Sequence, residues 1–438
     1  MGGMLNSWSR AGATARGFLA LCVFALPASL AGAGGTPYGL QFVRLGQQWS
    51  DGGPAAGLAA GPLDADGQVE YQRQVAEREL SGGPYSDSLA EPLAALALHY
   101  RGQADYTQAE RLYRRALHVV RVNDGLYSER QIPILRELLN TYRVAGDMET
   151  LDERYEYFFR LYGKGRPPFT DIRLRAALEY LRWQREALRL QLGGEAERRL
   201  LQLYELNGDL LEATAADPAV DPALYRNLAL SQLRNLYLIQ DLIAPKTEKV
   251  SGAPPTLPIG GDWSEQELGQ YRLETIQRSA INRGSQLLEE LLARQPADAI
   301  EERARLELEL ADWYQWNGSE RKAEGRYARV EELLRDAGLD GLLRDWLGEP
   351  VELPDNGAFW QPVPAGEDEQ QPVVVQASFD VSASGRARDI EVRIKREEDS
   401  GAASGLRRKL SRTRFRPYFS DGEARAVTRL SRTYEIID

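Results

Sequence analysis

The chain has 438 residues, of which 43% are hydrophobic and 27% are charged. These proportions are ordinary for soluble globular protein and exclude a chain that is disordered throughout, and the length is enough for two or more domains. The formal net charge is −11, and the acidic excess lies before Pro372. We therefore expect no nucleic acid to bind over the main surface of the protein.

The first 33 residues have the features of a secretory signal peptide. Arg10 and Arg16 form a positive region, residues 18–26 an apolar core, and residues 31–33 a small-x-small cleavage site. We expect cleavage after this site, export to the periplasm and no transmembrane span in the mature chain. The alternative is an uncleaved inner-membrane anchor, although Pro27 leaves the apolar run shorter than the roughly 20 residues that a span requires.

Cysteine and histidine are too scarce to build a catalytic or metal site. Cys22 is the only cysteine and lies inside the signal, which excludes disulfides, thiolate metal sites and a cysteine nucleophile in the mature chain. A zinc site at His99 or His118 would need carboxylates that no spacing singles out. Carboxylate pairs such as Glu289-Glu290 are typical of solvated helix faces. With no glycine-rich phosphate loop and no nucleophile elbow, we predict no cofactor and no enzyme activity.

Residues 34–80 precede the regular part of the chain, and the stretch from 34 to about 67 is rich in Gly, Ala and Pro and carries no sustained periodicity. This composition predicts a flexible leader, which includes a short helix over residues 68–80. The run Ser-Gly-Gly-Pro at 81–84 then breaks the chain before a more regular pattern begins.

Residues 90–123 form the most regular stretch of the chain. Large and small apolar residues recur at helical spacing on two segments separated by a short polar turn, namely Leu93, Leu96, Ala97 and Tyr100, then Ala109, Tyr113 and Ala116. The stretch resembles a tetratricopeptide repeat, a 34-residue pair of helices with large residues at positions 4, 7, 11 and 24 and small ones at 8, 20 and 27. Numbered from Ala90, all seven positions fit. The small residues let the two helix backbones approach closely.

Two further units follow the same pattern. A degenerate unit begins near Ile132, and a clear one begins near Ala304, where Ala311, Tyr314, Ala323 and Tyr327 take the same places as Ala97, Tyr100, Ala109 and Tyr113. We therefore predict a mainly α fold, with a tetratricopeptide-like helical solenoid over residues 81–347. Amphipathic helices continue from 171 to 300 without diagnostic positions, so regular repeats there remain open. One long helix is expected from Trp263 to Leu292, capped by Asp262 or Ser264.

In that family the first helix of each unit lines a groove through positions 2, 5, 9 and 12. Carried onto this chain, those positions are Glu91, Ala94, Leu98 and Arg101, then Pro133, Arg136, Asn140 and Arg143, then Arg305, Leu308, Asp312 and Gln315. The resemblance implies a partner-binding groove at Arg101, Arg136, Asn140, Arg143, Asp312 and Gln315. Arg136, Asn140 and Arg143 form a donor-rich strip suited to a peptide backbone or a terminal carboxylate. An ordinary solvated polar face is the other interpretation.

The composition changes again after the repeats. Residues 348–371 are rich in Pro, Gly and acidic residues and predict a linker, and residues 372–438 predict a small α+β domain. Its expected elements are strands at 373–381 and 387–394 joined by a turn at Ser384-Gly385, a helix at 402–411, and a last strand at 426–437.

The order of these elements resembles the C-terminal domain of TonB-type proteins. The matching residues are Phe379, Gly385, Phe415, Pro417 and Gly422, where the glycines supply turn conformations and Phe415 anchors the helix on the sheet. In that family the domain lies in the periplasm and adds an outer-membrane receptor segment to a sheet edge. This chain departs from the family, because a cleavable signal and a helical array replace the membrane anchor and Pro-rich arm. The resemblance therefore implies a strand-pairing domain, and leaves force transduction in doubt.

One basic run, residues 407–416, stands out in this small domain. It has two interpretations, a solvated basic face and a contact with a membrane surface or an acidic partner.

These observations predict an exported adaptor of the Gram-negative cell envelope, which binds protein or peptide partners through a repeat groove and a TonB-like domain, with possible contact to an outer-membrane protein. The alternative is an atypical TonB-like energy transducer that an uncleaved signal holds in the inner membrane. A periplasmic enzyme acting on cell-wall material would rest on location alone.

Overall fold

A computed structural model describes residues 42–44, 65–243, 264–359, 373–393 and 400–436. The predicted signal, most of the predicted leader before residue 65 and residues 360–371 of the predicted linker lie outside these ranges. The described part of the chain is mainly α-helical, with a small antiparallel sheet near its C-terminus. None of the helices in these ranges combines the length and the apolar character that a membrane crossing needs.

Twelve helices precede the sheet domain. Their bounds are α1 Ala65–Gly82, α2 Ala90–Gly102, α3 Tyr106–Asp124, α4 Gln131–Ala145, α5 Met148–Leu161, α6 Asp171–Arg189, α7 Ala196–Thr214, α8 Pro222–Leu242, α9 Glu265–Arg294, α10 Ile300–Trp316, α11 Glu320–Asp336 and α12 Asp340–Leu347. From α2 to α11 they form five consecutive pairs, and each pair packs on the next. The segment from 171 to 300, which the sequence left open, thus supplies two further helix pairs.

Small buried residues let the helices of a pair approach closely. Ala97, Ala109 and Ala116 are fully buried between α2 and α3, and Ala311 and Ala323 are fully buried between α10 and α11. The large predicted packing residues Leu93, Leu96, Tyr113, Tyr314 and Tyr327 are also buried, and Tyr100 is half-buried. An Ala at each crossing removes the side chain that would otherwise hold the helix backbones apart.

Helix α1 corrects the predicted leader, because residues 65–82 belong to the array. Gln68 and Gln72 each donate a hydrogen bond of 3.1 Å to the hydroxyl of Tyr100 on α2, and Glu79 forms an ion pair with Arg115 on α3. The helix buries one aliphatic side chain, Val75. Its attachment is therefore mostly polar, and no apolar stripe in the sequence marks it.

The C-terminal domain is a sheet covered by one helix. Its main strands are β3 Val373–Val381, β4 Ala387–Arg393 and β8 Val427–Ile436, and the helix is α13 Ser400–Arg412. The sheet is antiparallel in the order β1-β8-β3-β4, where β1 is Phe42–Arg44. The predicted strand, strand, helix, strand order is present. Five short strands were not predicted: β1, the pair β2 Val351–Glu352 and β5 Phe415–Arg416, and the pair β6 Tyr418–Ser420 and β7 Glu423–Arg425.

This domain has an apolar core of its own. The core contains Val375, Ala377, Phe379, Val381, Ile390, Leu406, Leu410, Phe415 and Tyr434, and it is separate from the core of the helical array. Alternation along β3 points every second residue at α13, so the strand buries one face and exposes the other.

The first part of the predicted linker is packed. Val351 and Glu352 form β2, and Leu353, Asn356 and Ala358 are buried. Proline and glycine in this stretch gave it the composition of a linker. Its first residues are nevertheless fixed by pairing with β5. Further along, the side chain of Asn356 accepts a hydrogen bond from the N–H of Ala358. A linker prediction from composition alone is therefore wrong for residues 351–358.

Candidate functional site

The first helices of the five pairs, α2, α4, α6, α8 and α10, lie side by side and form a surface that we call the A-helix face. Ion pairs join each of these helices to the next. They are Arg101–Glu137 at 2.5 Å, Arg136–Glu179 at 3.2 Å, Arg143–Glu186 at 2.8 Å, Arg189–Asp241 at 2.9 Å and Arg226–Glu302 at 3.1 Å. This face carries all of the predicted groove residues.

The predicted donor strip on α4 is largely engaged within the array. Arg143 is 6% exposed, pairs with Glu186 and lies 5.2 Å above the ring of Trp183. Arg136 pairs with Glu179, whose pKa is raised by burial although Arg136 works against that rise. Asn140 remains half-buried. Because carboxylates of α6 already hold the two guanidinium groups, these groups hold the helix pairs together.

Arg101 is engaged in the same way. Its Nη1 lies 2.5 Å from Oε2 of Glu137, a carboxylate that is almost fully buried on α4. A buried carboxylate needs such a partner, because removal from water is costly for a charge that is not paired. The residue therefore fixes the first repeat to the second.

Asp312, on α10, forms a buried ion pair with the C-terminal domain instead of with another helix of the array. Its two carboxylate oxygens accept hydrogen bonds from Arg416 of β5, at 2.9 Å to Nε and 2.5 Å to Nη2. Nη1 of Arg416 donates to the carbonyl oxygen of Trp346 at 3.0 Å, and the hydroxyl of Tyr327 donates to Asp312 at 2.8 Å. Arg416 is 4% exposed. Burial alone would lower the pKa of Arg416, but the charge of Asp312 raises it overall.

Gln315, one turn after Asp312, binds the backbone of the C-terminal domain. Its Nε2 donates to the carbonyl oxygens of Ser384 and Phe415, both at 3.0 Å. Gly385 follows Ser384 with φ of +68°, and a Cβ there would lie 2.1 Å from the Phe415 oxygen and 2.3 Å from the Gln315 amide. Only glycine fits this turn, because it needs both the left-handed conformation and the empty space.

Contacts around this centre extend the docking of the C-terminal domain. Glu331 of α11 accepts hydrogen bonds from the backbone N–H groups of Asp421 at 2.9 Å and Gly422 at 2.7 Å, in the β6–β7 turn. Arg414 forms an ion pair of 3.3 Å with Glu320. The C-terminal domain is therefore held against the last repeat of the A-helix face by several polar contacts.

Residues 356–359 fill the space between the helical array and β5. Arg234 of α8 donates to the carbonyl oxygen of Asn356 at 2.7 Å, and the amide of Asn356 donates to Glu309 of α10 at 3.3 Å. The pKa of Glu309 is raised by burial and by the neighbouring charge of Asp312. The Phe359 ring centroid lies 6.1 Å from that of Trp316. This short segment thus joins α8 and α10, and the residue before it, Asp355, lies 3.6 Å from Arg416 of the C-terminal domain.

The residues that matched the TonB-like pattern have two roles. Phe379 and Phe415 pack against each other in the core of the sheet domain, with ring centroids 5.5 Å apart. Gly422 has φ of +80° and donates to Glu331, and Pro417 is buried after β5. The first two residues hold the domain together, whereas Gly422 takes part in its docking.

Sequence reasoning missed Arg416, Glu331 and Asn356. Arg416 lay in the basic run that was interpreted as a solvated face or a surface contact, and the structure corrects that interpretation for this residue. Arg407, Arg408 and Arg412 of the same run are exposed. A buried arginine carries no local sequence signal, because the charge that neutralises it lies on a distant segment.

The two histidines contact neighbouring side chains, and a pocket lies elsewhere in the array. His99 is buried with Nε2 2.8 Å from the Gln103 amide, and the His118 ring packs edge-on against Tyr85. A pocket of about 310 Å³ lies among α5, α6 and α7, where Arg199 pairs with Asp152 at 2.6 Å. Within the described ranges, no three His, Cys, Asp or Glu side chains are grouped to hold a metal ion.

Comparison with known proteins gives little beyond the structure itself. No family model matches the chain, and no curated protein matches it. Among solved structures, kinesin light chain TPR-like repeats from Podospora anserina are 16% identical over 56% of this chain and 95% of that chain, with a TM-score of 0.35. BtubC (BKLC) from P. vanneervenii is 17% identical over 64% of this chain and 93% of that chain, with a TM-score of 0.20. The fold assignment therefore rests on the helix pairs and the sheet described above.

Proposed function

We propose that the chain is an exported, non-enzymatic adaptor of the Gram-negative cell envelope, which binds extended protein segments on its A-helix face and a second protein through its TonB-like domain. One observation carries the proposal. Asp312 and Gln315, two residues that the groove spacing singled out, hold an extended segment of protein, residues 415–416. They bind it through one backbone carbonyl oxygen, that of Phe415, and one charged side chain, that of Arg416, which are general means of recognising a peptide.

A further part of the A-helix face remains open to a partner. On α4 and α6, Pro133, Ile172 and Arg175 are exposed and Asn140 is half-buried. Ile172 is 57% exposed. Apolar and polar side chains that alternate on a fixed helical surface suit an extended segment, because the helices lose no conformational entropy when the segment binds.

The sheet supports binding of a second protein by strand pairing. Along the described chain, β1 pairs with the β8 edge only at residues 434–436, so residues 427–433 of that edge have no strand partner there. An exposed edge presents N–H and C=O groups to an incoming strand. We propose an outer-membrane protein as the partner that supplies it.

Crosslinking and mass spectrometry on intact cells test the use of the A-helix face. The test variant is Asn140→Ala/Ile172→Asp. Its matched control is Val122→Asp on α3, which is the second helix of its pair and not part of the A-helix face; Val122 is 54% exposed. We expect the test variant to lose a protein partner that both the wild type and the control retain. Substituting Arg136 or Arg143 would be uninformative, because each change would leave a carboxylate of α6 without its ion-pair partner.

Two results decide between the alternatives. Equal capture of partners by the test variant and the control would refute recognition on the open part of the A-helix face. The same spectra give the N-terminus of the native protein. A start near Gly34 agrees with a cleaved signal, and an intact N-terminus would support the anchored energy transducer.

A further inference from the structure

The C-terminal domain covers the last repeat at the positions where a groove-bound peptide would lie. Arg416 takes up both carboxylate oxygens of Asp312, and the amide of Gln315 bridges the carbonyl oxygens of Ser384 and Phe415. Asp312 and Gln315 belong to the A-helix face and stand at positions 9 and 12 of the repeat that begins near Ala304. The site is therefore already filled by the protein's own chain.

The occupying segment is short and extended. Phe415–Arg416 forms β5, which pairs with β2 through the residue pairs Val351–Arg416 and Glu352–Phe415. The carbonyl of Arg414 also accepts a hydrogen bond of 2.9 Å from the N–H of Leu353. The segment is thus held on one side by a strand and on the other by α10, as a peptide is held at the edge of a groove.

The docked domain is built to remain folded when it separates. Its core, which includes Phe379, Leu406 and Phe415, is distinct from the core of the array. The docking contacts combine the polar ones described above with an apolar one, in which Phe419 joins the core of the array and its ring centroid lies 5.8 Å from that of Tyr327. Polar contact areas between parts of one chain resemble those of transient complexes, for which relative motion is the default expectation.

We propose that residues 414–417 are an internal ligand that blocks a peptide site at Asp312 and Gln315, and that an extended, arginine-bearing segment of a partner protein takes this site when the C-terminal domain undocks. The inference rests on the proposed adaptor function and adds to it a means of control. A partner would bind the last repeat only in competition with the chain's own domain.

The contacts define what the partner must supply. Asp312 binds two nitrogens on one edge of a guanidinium group, and the Trp346 carbonyl takes a third, an arrangement that an ammonium group cannot reproduce. Gln315 binds backbone carbonyls and so accepts any extended sequence. The ring of Phe415 points into the core of its own domain. The arginine is therefore the one side chain that the site selects.

Fluorescence anisotropy with a labelled synthetic peptide tests the proposal. The peptide spans residues 412–420, and it is titrated into the full chain as wild type, as Arg416→Ala, and as the matched control Arg425→Ala. Arg425 is an exposed arginine of the same domain that pairs only with the nearby Asp421 among the described residues. We expect Arg416→Ala to bind the peptide at least about tenfold more tightly than the wild type and the control, because removing one partner of a buried charge pair weakens the docked state strongly.

Two further measurements show whether binding occurs at the proposed site. Adding Asp312→Asn to Arg416→Ala should abolish the gain, and a peptide with Lys in place of Arg416 should bind about tenfold more weakly. Hydrogen exchange of residues 418–425 should increase in Arg416→Ala, since these residues lose their contacts with α11. Equal peptide binding in all three chains, unchanged exchange at 418–425, or binding that survives Asp312→Asn would overturn the proposal.

A second releasing variant covers the case in which Arg416→Ala does not fold. Glu331→Gln weakens the docking of the β6–β7 turn and leaves Asp312, Gln315 and β5 unchanged, so it should also expose the site to the peptide. The peptide titration and the crosslinking test of the adaptor function can fail independently of each other. Peptide competition without any partner at Asn140 and Ile172 would refute only the adaptor function, and the reverse would refute only the internal ligand.

Discussion

At the scale of single residues, Gly284 shows how closely two helices of the array approach. A Cβ at this position of α9 would lie 2.5 Å from the ring of Trp313 on α10. Trp313 is fully buried, and its Nε1 donates to the carbonyl oxygen of Ile281 at 3.0 Å. The indole therefore rests directly on the backbone of α9, and no side chain can stand between them.

Substitution of Gly284 by Ala should therefore destabilise the fold. We expect a loss of about 1–3 kcal/mol in the free energy of unfolding, because the added methyl group displaces a buried ring. Gly325→Ala on α11 is the matched control. A Cβ there meets nothing within 4 Å, so the change should stabilise the helix by about 0.5–1 kcal/mol. Urea unfolding measures both, and equal stability of Gly284→Ala and the wild type would show that the contact can relax.

The burial of individual residues was easier to predict than their partners. The resemblance to the repeat family placed Asp312 and Gln315 on the first helix of a repeat, and both lie on α10, where they are buried. Asp312 finds its partner 104 residues further along the chain. No local pattern encodes that distance, because the pairing depends on how a separate domain docks.

At the scale of elements, the ends of helices were encoded more clearly than the short strands. The prediction for the long helix was Trp263 to Leu292, and α9 spans Glu265–Arg294. Ser264 is its N-cap, and together with Glu267 it completes a capping box. By contrast β2, β5, β6 and β7 have two or three residues each, which is too few for an alternating pattern to show in the sequence.

The cap at Ser264 should contribute measurably to stability. We expect Ser264→Ala to lower the free energy of unfolding by about 1 kcal/mol and to speed hydrogen exchange in the first turn of α9, since the N–H of Glu267 loses its acceptor. Ser279→Ala, in the middle of the same helix, is the control. Its hydroxyl bonds to the carbonyl of Thr275, a contact that does not favour a helix. If both variants behaved alike, the capping box would not determine where α9 begins.

At the scale of the whole molecule, Lys409 of α13 is half-buried and interacts with charged groups of the array. Burial lowers the pKa of Lys409 to about 8, although Glu352 acts in the opposite direction. Arg189 lowers the pKa further, and Asp241 raises it. Because the ordinary value is 10.5, the unfolded chain holds this proton more tightly than the folded chain does. Protonation of Lys409 therefore favours unfolding.

The lowered pKa of Lys409 leads to a prediction about how stability depends on pH. Lys409 should impose its full cost below about pH 8, and the cost should disappear as the pH rises toward 10.5. We expect Lys409→Met to be more stable than the wild type at pH 7, with an advantage that shrinks between pH 8 and 10. Lys322→Met, at an exposed lysine of α11, is the matched control. Urea midpoints at pH 7, 9 and 10 test this, and a constant advantage would mean that Lys409 does not titrate in this range.

The pairing of β1 with β8 has a consequence for the order in which the molecule assembles. Residues 42–44 lie against residues 434–436, so these three rungs join one of the earliest described segments of the chain to the latest. Each helix pair can form as soon as its own residues have left the ribosome, because its contacts are local. The β1–β8 rungs must wait until residues 434–436 have been made, and the long loop that they close adds an entropic cost that local helix contacts do not have. They therefore form late, together with the rungs that join the same residues of β8 to β3.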